Sequence, residues 1–350
     1  MSVIDISAII TEFGSKYANE GQMMRDIKKQ LFAPSETEKF FRKIPYKNDV
    51  YKSGYATIDE VVQAFAIDFV AKSTLTFQPW STELGEFKID QKFIPDNFRH
   101  SWLGFLAELE KVDRSKWMIL RWYIQQMLLP RSEEDMETAI AYWGWKWTGV
   151  NGTPTVNGAT FVRQRSDETT VGLNTKANGA MDGIHTLIAK MVDASRANVI
   201  ATGALSTDPA TFAGQIEDWV EAISPELRAK CDYVFMSEAL VNLYKDGIRA
   251  KYNAYYKQEG DLAAIKNSRL KVQSLRSMDG ANKIWTTPAA NRVMPIHVDN
   301  TGRFDIQKED RAVKLLTDYK KAIAFDVPEF VVTNDLENTI SAGDITNYYS

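Results

Sequence analysis

One long helical stretch constrains this chain more than any other feature. It opens at Pro95-Asp96-Asn97 and is predicted to stop before Pro130. Phe98, Trp102, Phe105, Leu106 and Leu109 recur at spacings of three and four and so share one face. With an interruption near Asp113, the pattern continues through Trp117 to Leu129. An apolar stripe of that length needs another layer to cover it.

The sequence before the helix supplies candidates for that layer. Leu75 and Phe77, then Phe87, Ile89 and Phe93, alternate with polar residues, while Pro79 and Gly85 interrupt the middle. This predicts two strands joined by a projecting loop over about 70–94. Upstream, Thr57 and Glu60 have capping-box spacing ahead of Val62, Phe65, Ala66 and Phe69, which predicts a helix. Residues 32–56 hold Pro34, Pro45 and Gly54 among mixed charges and read as an extended arm. Ile6, Ile9, Ile10, Phe13, Tyr17, Met24, Ile27 and Leu31 mark amphipathic helix before it, broken near Gly14 and Gly21.

After the long helix, a short one is expected from Ser132, as cap, to about Tyr142. Residues 148–183, rich in Gly, Asn and Thr, predict loop or hairpin and a domain boundary. Asp208-Pro209 is a helix start with Phe212, Ile216, Trp219 and Ile223 along one face. A strand follows at Tyr233–Met236, then a helix from Ser237 to Lys245 terminated by Gly247. The last hundred residues are strand-rich. Strands 269–275 and 283–286 flank Asp279-Gly280, and 293–298 and 303–306 flank Asp299-Asn300-Thr301-Gly302. Strands 312–316 and 321–325 complete the set. The fold class is α+β.

Composition excludes several functions. The chain of 350 residues is 44% apolar and 25% charged, as in ordinary globular proteins, not disordered or fibrous ones. A net charge of −4 offers no footprint for tight nucleic-acid binding. One cysteine, Cys231, precludes an intrachain disulfide or a cysteine-rich zinc site. The N-terminus has no basic region before an apolar run, and no run of 18 apolar residues occurs, so neither a signal peptide nor a membrane span is expected.

The search for chemistry finds no local motif. His100, His185 and His297 lie far apart, with no His or Cys at ligand spacing. Neither Gly-x-Ser-x-Gly nor a phosphate-cradling glycine loop occurs, and Gly149-Val150-Asn151-Gly152 reads as a turn. Glu133, Glu134, Asp135 and Glu137 read as the acidic, solvated first turn of a helix. Arg163 and Arg165 would share a strand face and suit a salt-bridged surface or subunit contact. In Tyr142-Trp143-Gly144-Trp145-Lys146-Trp147 an extended backbone would place three tryptophans on one side. A core or subunit-interface role is favoured there over an aromatic ligand platform. Phe77 and Trp80, on the projecting loop, are the candidate subunit-interface residues. No catalytic, cofactor-binding or metal-binding residue is assigned.

The order of elements resembles the major capsid proteins of tailed bacteriophages, the Hong Kong 97 fold. Met181-Asp182-Gly183-Ile184-His185-Thr186-Leu187-Ile188 is similar to the axial-domain entry in capsid proteins of Bacteroidetes phages. Ala204-Leu205-Ser206, Ser224-Pro225-Glu226-Leu227-Arg228, Val234-Phe235-Met236-Ser237 and Lys283-Ile284-Trp285-Thr286-Thr287-Pro288 also look like the family. The resemblance implies an N-terminal arm (1–56) and a peripheral domain (57–180) with extended loop (about 70–94) and spine helix (about 95–129). An axial domain (181–300) and closing strands of the peripheral domain (301–350) would follow. It implies a non-enzymatic shell protein of the virion, assembled in the host cell cytoplasm as hexamers and pentamers around double-stranded DNA. A separate scaffolding protein, a portal and minor capsid proteins would be its partners, with loose DNA contact, no membrane and no cofactor. An encapsulin-type compartment shares the fold and is the first alternative. An enzyme with a non-local active site is the second.

Overall fold

The computed structural model describes residues 35–58, 75–108, 118–144, 146, 180–252, 262–298, 305–309 and 312–338, together with residue 11 and short strands between 155 and 172. Its elements are β1 (Arg42–Tyr46), β2 (Val50–Ile58), β3 (Leu75–Glu83), β4 (Gly85–Phe93) and α1 (Pro95–Glu108). A second helix, α2, runs through Ile119–Tyr123, Ile124–Leu128, Leu129–Asp135 and Met136–Ile140, and the second and fourth of these segments are π-helical. Strands β5 (Thr155–Val156), β6 (Ala159–Thr160), β7 (Val162–Arg163) and β8 (Val171–Gly172) precede α3 (Ile184–Asp193) and β9 (Asn198–Val199). Helices α4 (Pro209–Glu221) and α5 (Pro225–Arg228), strand β10 (Tyr233–Met236) and helix α6 (Glu238–Tyr252) follow. The remaining strands are β11 (Lys271–Ser274), β12 (Trp285–Thr286), β13 (Arg292–His297), β14 (Asp305–Glu309), β15 (Ala312–Lys321), β16 (Ala324–Phe325) and β17 (Val332–Thr333).

Two sheets organise the molecule. In one, β4 pairs with one edge of β15 along its length, β14 and β13 meet the other edge at 312–316 and at Lys321, and β13 also pairs with β1 and β16. The other has the order β11-β10-β12-β17-β9. Tyr233–Met236 is a continuous apolar run because this second sheet is covered on both faces. Val234 and Met236 pack with Phe212, Ile216, Trp219, Val241 and Tyr244 of α4 and α6. Phe235 points the other way, stacks on Trp285 at 4.4 Å and joins the core beneath the first sheet. Arg292, buried, ties the sheets together: its guanidinium meets both Asp232 oxygens at 2.8 and 2.9 Å and lies 5.1 Å from the Phe235 ring.

Several sequence expectations are corrected here. The strands expected between 72 and 94 exist but do not pair with each other. β3 pairs with β2 from Val50↔Glu83 to Ile58↔Leu75, and β4 pairs with β15. The antiparallel pair is therefore the β2–β3 ribbon. Thr57 lies in β2, not at a helix start, and most of the helix expected after it lies outside the described residues. The helix does not stop before Pro130. A π turn, with the Leu129 N–H bonded to the Ile124 carbonyl, widens the helix just ahead of the proline, so its ring and missing N–H are accommodated. Ser132 is consequently mid-helix and caps nothing.

Gly247 does not terminate α6. A Cβ there would lie 2.0 Å from the Pro209 carbonyl, so glycine serves a close approach of α6 to the start of α4. Asp208 is the expected cap, accepting from the Thr211 N–H at 2.9 Å. The hairpins expected around 279–280 and 299–302 do not form: β10 lies between β11 and β12, and β13 and β14 each pair with β15, at Lys321 and at 312–316, instead of with each other. Residues 292–297, grouped in sequence with 181–300, lie in the same sheet as β1 and β4, while β17, grouped with 301–350, lies in the five-stranded sheet.

Candidate functional site

The β2–β3 ribbon has two unlike faces, because paired residues of antiparallel strands point the same way. Lys52, Gly54 and Ala56 share one face with Phe77, Pro79, Ser81 and Glu83, and every one of these is exposed. Phe77 is 64% exposed, and its ring covers the backbone of Gly54, where an added Cβ would lie 2.4 Å from the ring. Tyr51, Ser53, Tyr55, Gln78 and Trp80 form the other face and are half-buried.

That inner face is fastened to the body at several points. Tyr55 meets Phe330 edge-on at 5.2 Å, and the Tyr51 hydroxyl donates to Asp326 at 2.5 Å. Burial and the Asp326 carboxylate raise the Tyr51 pKa, so the phenol keeps its proton as donor. Arg196 donates to the Pro79 carbonyl at 2.7 Å, pairs with Glu329 at 2.7 Å and lies 5.4 Å from the Trp80 ring. The two aromatics expected at a subunit contact thus part company: Phe77 faces outward, and Trp80 packs against the core.

Elsewhere, buried polar groups lock distant segments of the chain. Glu137, read from sequence as part of a solvated acidic turn, is buried. It accepts from the Thr37 N–H at 2.9 Å, the Thr37 hydroxyl at 2.6 Å and the Ser277 N–H at 3.1 Å. Glu133 and Glu134 are exposed, and Glu134 and Asp135 pair with Arg131. Glu38 and Lys321 form a buried ion pair at 2.6 Å. Lys283, also buried, donates to the Leu336 carbonyl at 2.9 Å and contacts the Glu337 carbonyl and the Asn338 side-chain oxygen. Burial pushes its pKa down to about 7, against Glu337 and Asp335, which raise it. Sequence reasoning missed Glu137, Lys283 and Arg196. A lysine directly before the apolar pair Ile284-Trp285 was the one available signal.

The groups considered for chemistry do not converge. His100 is exposed, His185 is buried on α3 with its ring against Trp143, and His297 contacts the Lys47 carbonyl at 2.8 Å. Trp143 is buried in a turn beside Tyr142, not on an extended strand, while Trp145 and Trp147 lie outside the described residues, as does Arg165. Cys231 is buried, which pushes its thiol up to about 11 and away from reactivity. Among the described residues no cluster of His, Cys, Asp or Glu could hold a metal ion, and no helix is long and apolar enough to cross a membrane. The displaced carboxylates Asp49, Glu83, Asp208, Glu309 and Asp335 are all held low by hydrogen-bond donors, the direction opposite to that of a general acid. A groove of about 500 Å³ lies between β4 and α2.

No family model and no curated protein matches the sequence. Solved structures do match. A chain of the satellite phage P4 procapsid including size determination (Sid) protein superposes with a TM-score of 0.52 at 10% identity, over 90% of each chain. The capsid of an empty GTA particle gives 0.46 at 13% identity, over 86% of this chain and 96% of that one. Phage G gp27 major capsid proteins with gp26 decoration proteins give 0.45 at 10% identity, over 87% and 90%. The chain carries the Hong Kong 97-like fold of phage capsid proteins.

Proposed function

We propose that this chain is the major capsid protein of a tailed bacteriophage and assembles into the icosahedral shell around double-stranded DNA. One observation carries the reading: a capsid fold, matched along 90% of the chain, bears a ribbon whose outer face exposes Phe77 beside Pro79, between the polar Lys52, Ser81 and Glu83, with no cover within the described residues. An outstretched two-stranded ribbon is marginal alone, and Phe77 with Pro79 gains stability when another copy covers it. Phe77 is the contact residue in this reading, and Trp80 sets the ribbon's angle from beneath. The sheet holding β4 and β13 corresponds to a peripheral domain and the five-stranded sheet to an axial one. Hexamers and pentamers are the assembly units, formed in the host cytoplasm with a separate scaffolding protein, a portal and minor proteins. The wording at 181–188 supports a Bacteroidetes-phage type. A modest negative charge suits a wall that encloses DNA without gripping it. The role is structural, not catalytic.

Electron microscopy of the protein co-expressed with neighbouring phage genes tests this. Closed particles or capsomer rings are expected, and a preparation containing neither would overturn the reading.

A further inference from the structure

The net charge of −4 is unevenly spread over the chain. Five cations gather where β10 and β11 begin, at one end of the five-stranded sheet. Arg228 ends α5 and Lys230 follows it, Lys266 and Arg269 lie in the turn before β11, and Lys271 is the first residue of β11. Hydrogen bonds fix the grouping. The Arg269 guanidinium donates to the Ala229 carbonyl at 3.4 Å, beside the residue that separates Arg228 from Lys230. The Ser268 N–H donates to the Ile265 carbonyl at 3.2 Å and the Ile265 N–H to the Leu270 carbonyl at 3.0 Å, which closes the turn carrying Lys266. The Lys271 N–H donates to the Asp232 carbonyl at 3.1 Å, and Lys271 stands in register with Tyr233. Lys230, Lys266, Arg269 and Lys271 are exposed, and Arg228 is half-buried.

Acid is scarce in these segments. Residues 262–278 contain Lys266, Arg269, Lys271 and Arg276 and neither Asp nor Glu. Asp232 is committed to the buried Arg292, which holds both of its oxygens. Arg228 donates to the Val220 carbonyl at 3.5 Å, and Lys230 lies 5.7 Å from the Phe330 ring. Among the described residues neither of these two nor Arg269 pairs with a carboxylate. Glu226 of α5 is exposed nearby in the chain, and five cations against it leave a local excess of positive charge. The patch also lacks the apolar centre of a protein interface. None of the exposed large apolar residues, Phe77, Leu103, Met127, Val199 and Val298, belongs to it, and the residues among its cations are Ala229, Asn267 and Ser268. Cations set among small polar residues suit a hydrated phosphate backbone.

We propose that this patch is where the chain touches the phosphate backbone of double-stranded DNA. The contact reads charge and not sequence, because phosphate contacts carry no base information. A wall that is negative as a whole thus carries an island that meets DNA lightly and releases it as salt rises. That the DNA is the packaged genome rests on the proposed shell role. The affinity of the patch for duplex phosphate does not, and it is measurable on subunits that form no particle.

Fluorescence anisotropy of a short labelled duplex of mixed sequence, titrated with the full-length, unassembled protein between about 50 and 200 mM salt, tests it. The wild type should bind weakly at the low end and release the duplex at the high end. Arg228→Gln with Lys230→Gln and Arg269→Gln should weaken low-salt binding about tenfold or more and lower the slope of log affinity against log salt by about 3. Lys88→Gln with Lys92→Gln and Lys314→Gln removes the same charge from the sheet of β4 and β15 and should change affinity less than about twofold. If the first triple variant fails to fold, Arg269→Gln alone, at an exposed position, should lower the slope by about 1. Absence of wild-type binding at low salt, or equal losses from the two triple variants, would overturn the assignment. Capture of an acidic peptide in place of the duplex would also overturn it, by making the patch a protein contact.

Discussion

Lys283 is buried, with its Nζ placed among carbonyl oxygens. Burial lowers its pKa from 10.5 to about 7. Between those values the unfolded chain holds a proton that the folded chain has released, so stability rises with pH through that window and falls as pH drops toward 7. The urea midpoint of the wild type, relative to Lys283→Met, should therefore climb from about pH 7 to about pH 10. A pH-independent difference would contradict this. Glu137 is a second buried charge, and Glu137→Ala leaves the Thr37 and Ser277 amides without their acceptor. A loss of about 2–4 kcal/mol is expected by chemical denaturation. Neither residue was legible as structural from sequence. Glu137 follows three acids that do face solvent or pair with Arg131, and its inward turn depends on the π-helical segment Met136–Ile140, which no local pattern announces.

At the scale of elements, the ribbon separates Phe77 from Trp80. Phe77→Ser should change stability by no more than about 0.5 kcal/mol, whereas Trp80→Ser should cost roughly 1–3 kcal/mol, because only Trp80 is packed on the core. Equal effects on thermal unfolding would contradict the two-faced arrangement. Arg196→Ala removes the strap from the Pro79 carbonyl and the Trp80 ring, and should speed amide exchange across β2 and β3 while sparing β10. The elements themselves were largely readable where one local rule decided them. Asp208-Pro209 marked a helix start, and Tyr233–Met236 a strand. Pairing was not readable, because β10 inserting between β11 and β12, or β13 and β14 each pairing with β15 instead of with each other, is decided by which distant faces the strands cover. Gly247 misled for the same reason: its role lies in a contact with Pro209 on another helix.

On the scale of the whole molecule, the two cores share strand β10, whose Phe235 lies in one while Val234 and Met236 lie in the other. The capsid fold was legible as a resemblance in element order and wording, and the fold match over 90% of the chain bears it out. The candidate surface was half legible: an aromatic on a projecting segment can be seen in sequence, but the face it takes depends on strand register. The central claim is that the ribbon's outer face finds its cover on another copy of this chain. Hydroxyl-radical footprinting of Phe77, read by mass spectrometry in assembled particles and in dissociated subunits, tests it directly. The account predicts several-fold slower oxidation of Phe77 on assembly, with exposed Leu103 as internal reference. Equal oxidation in both states would contradict it.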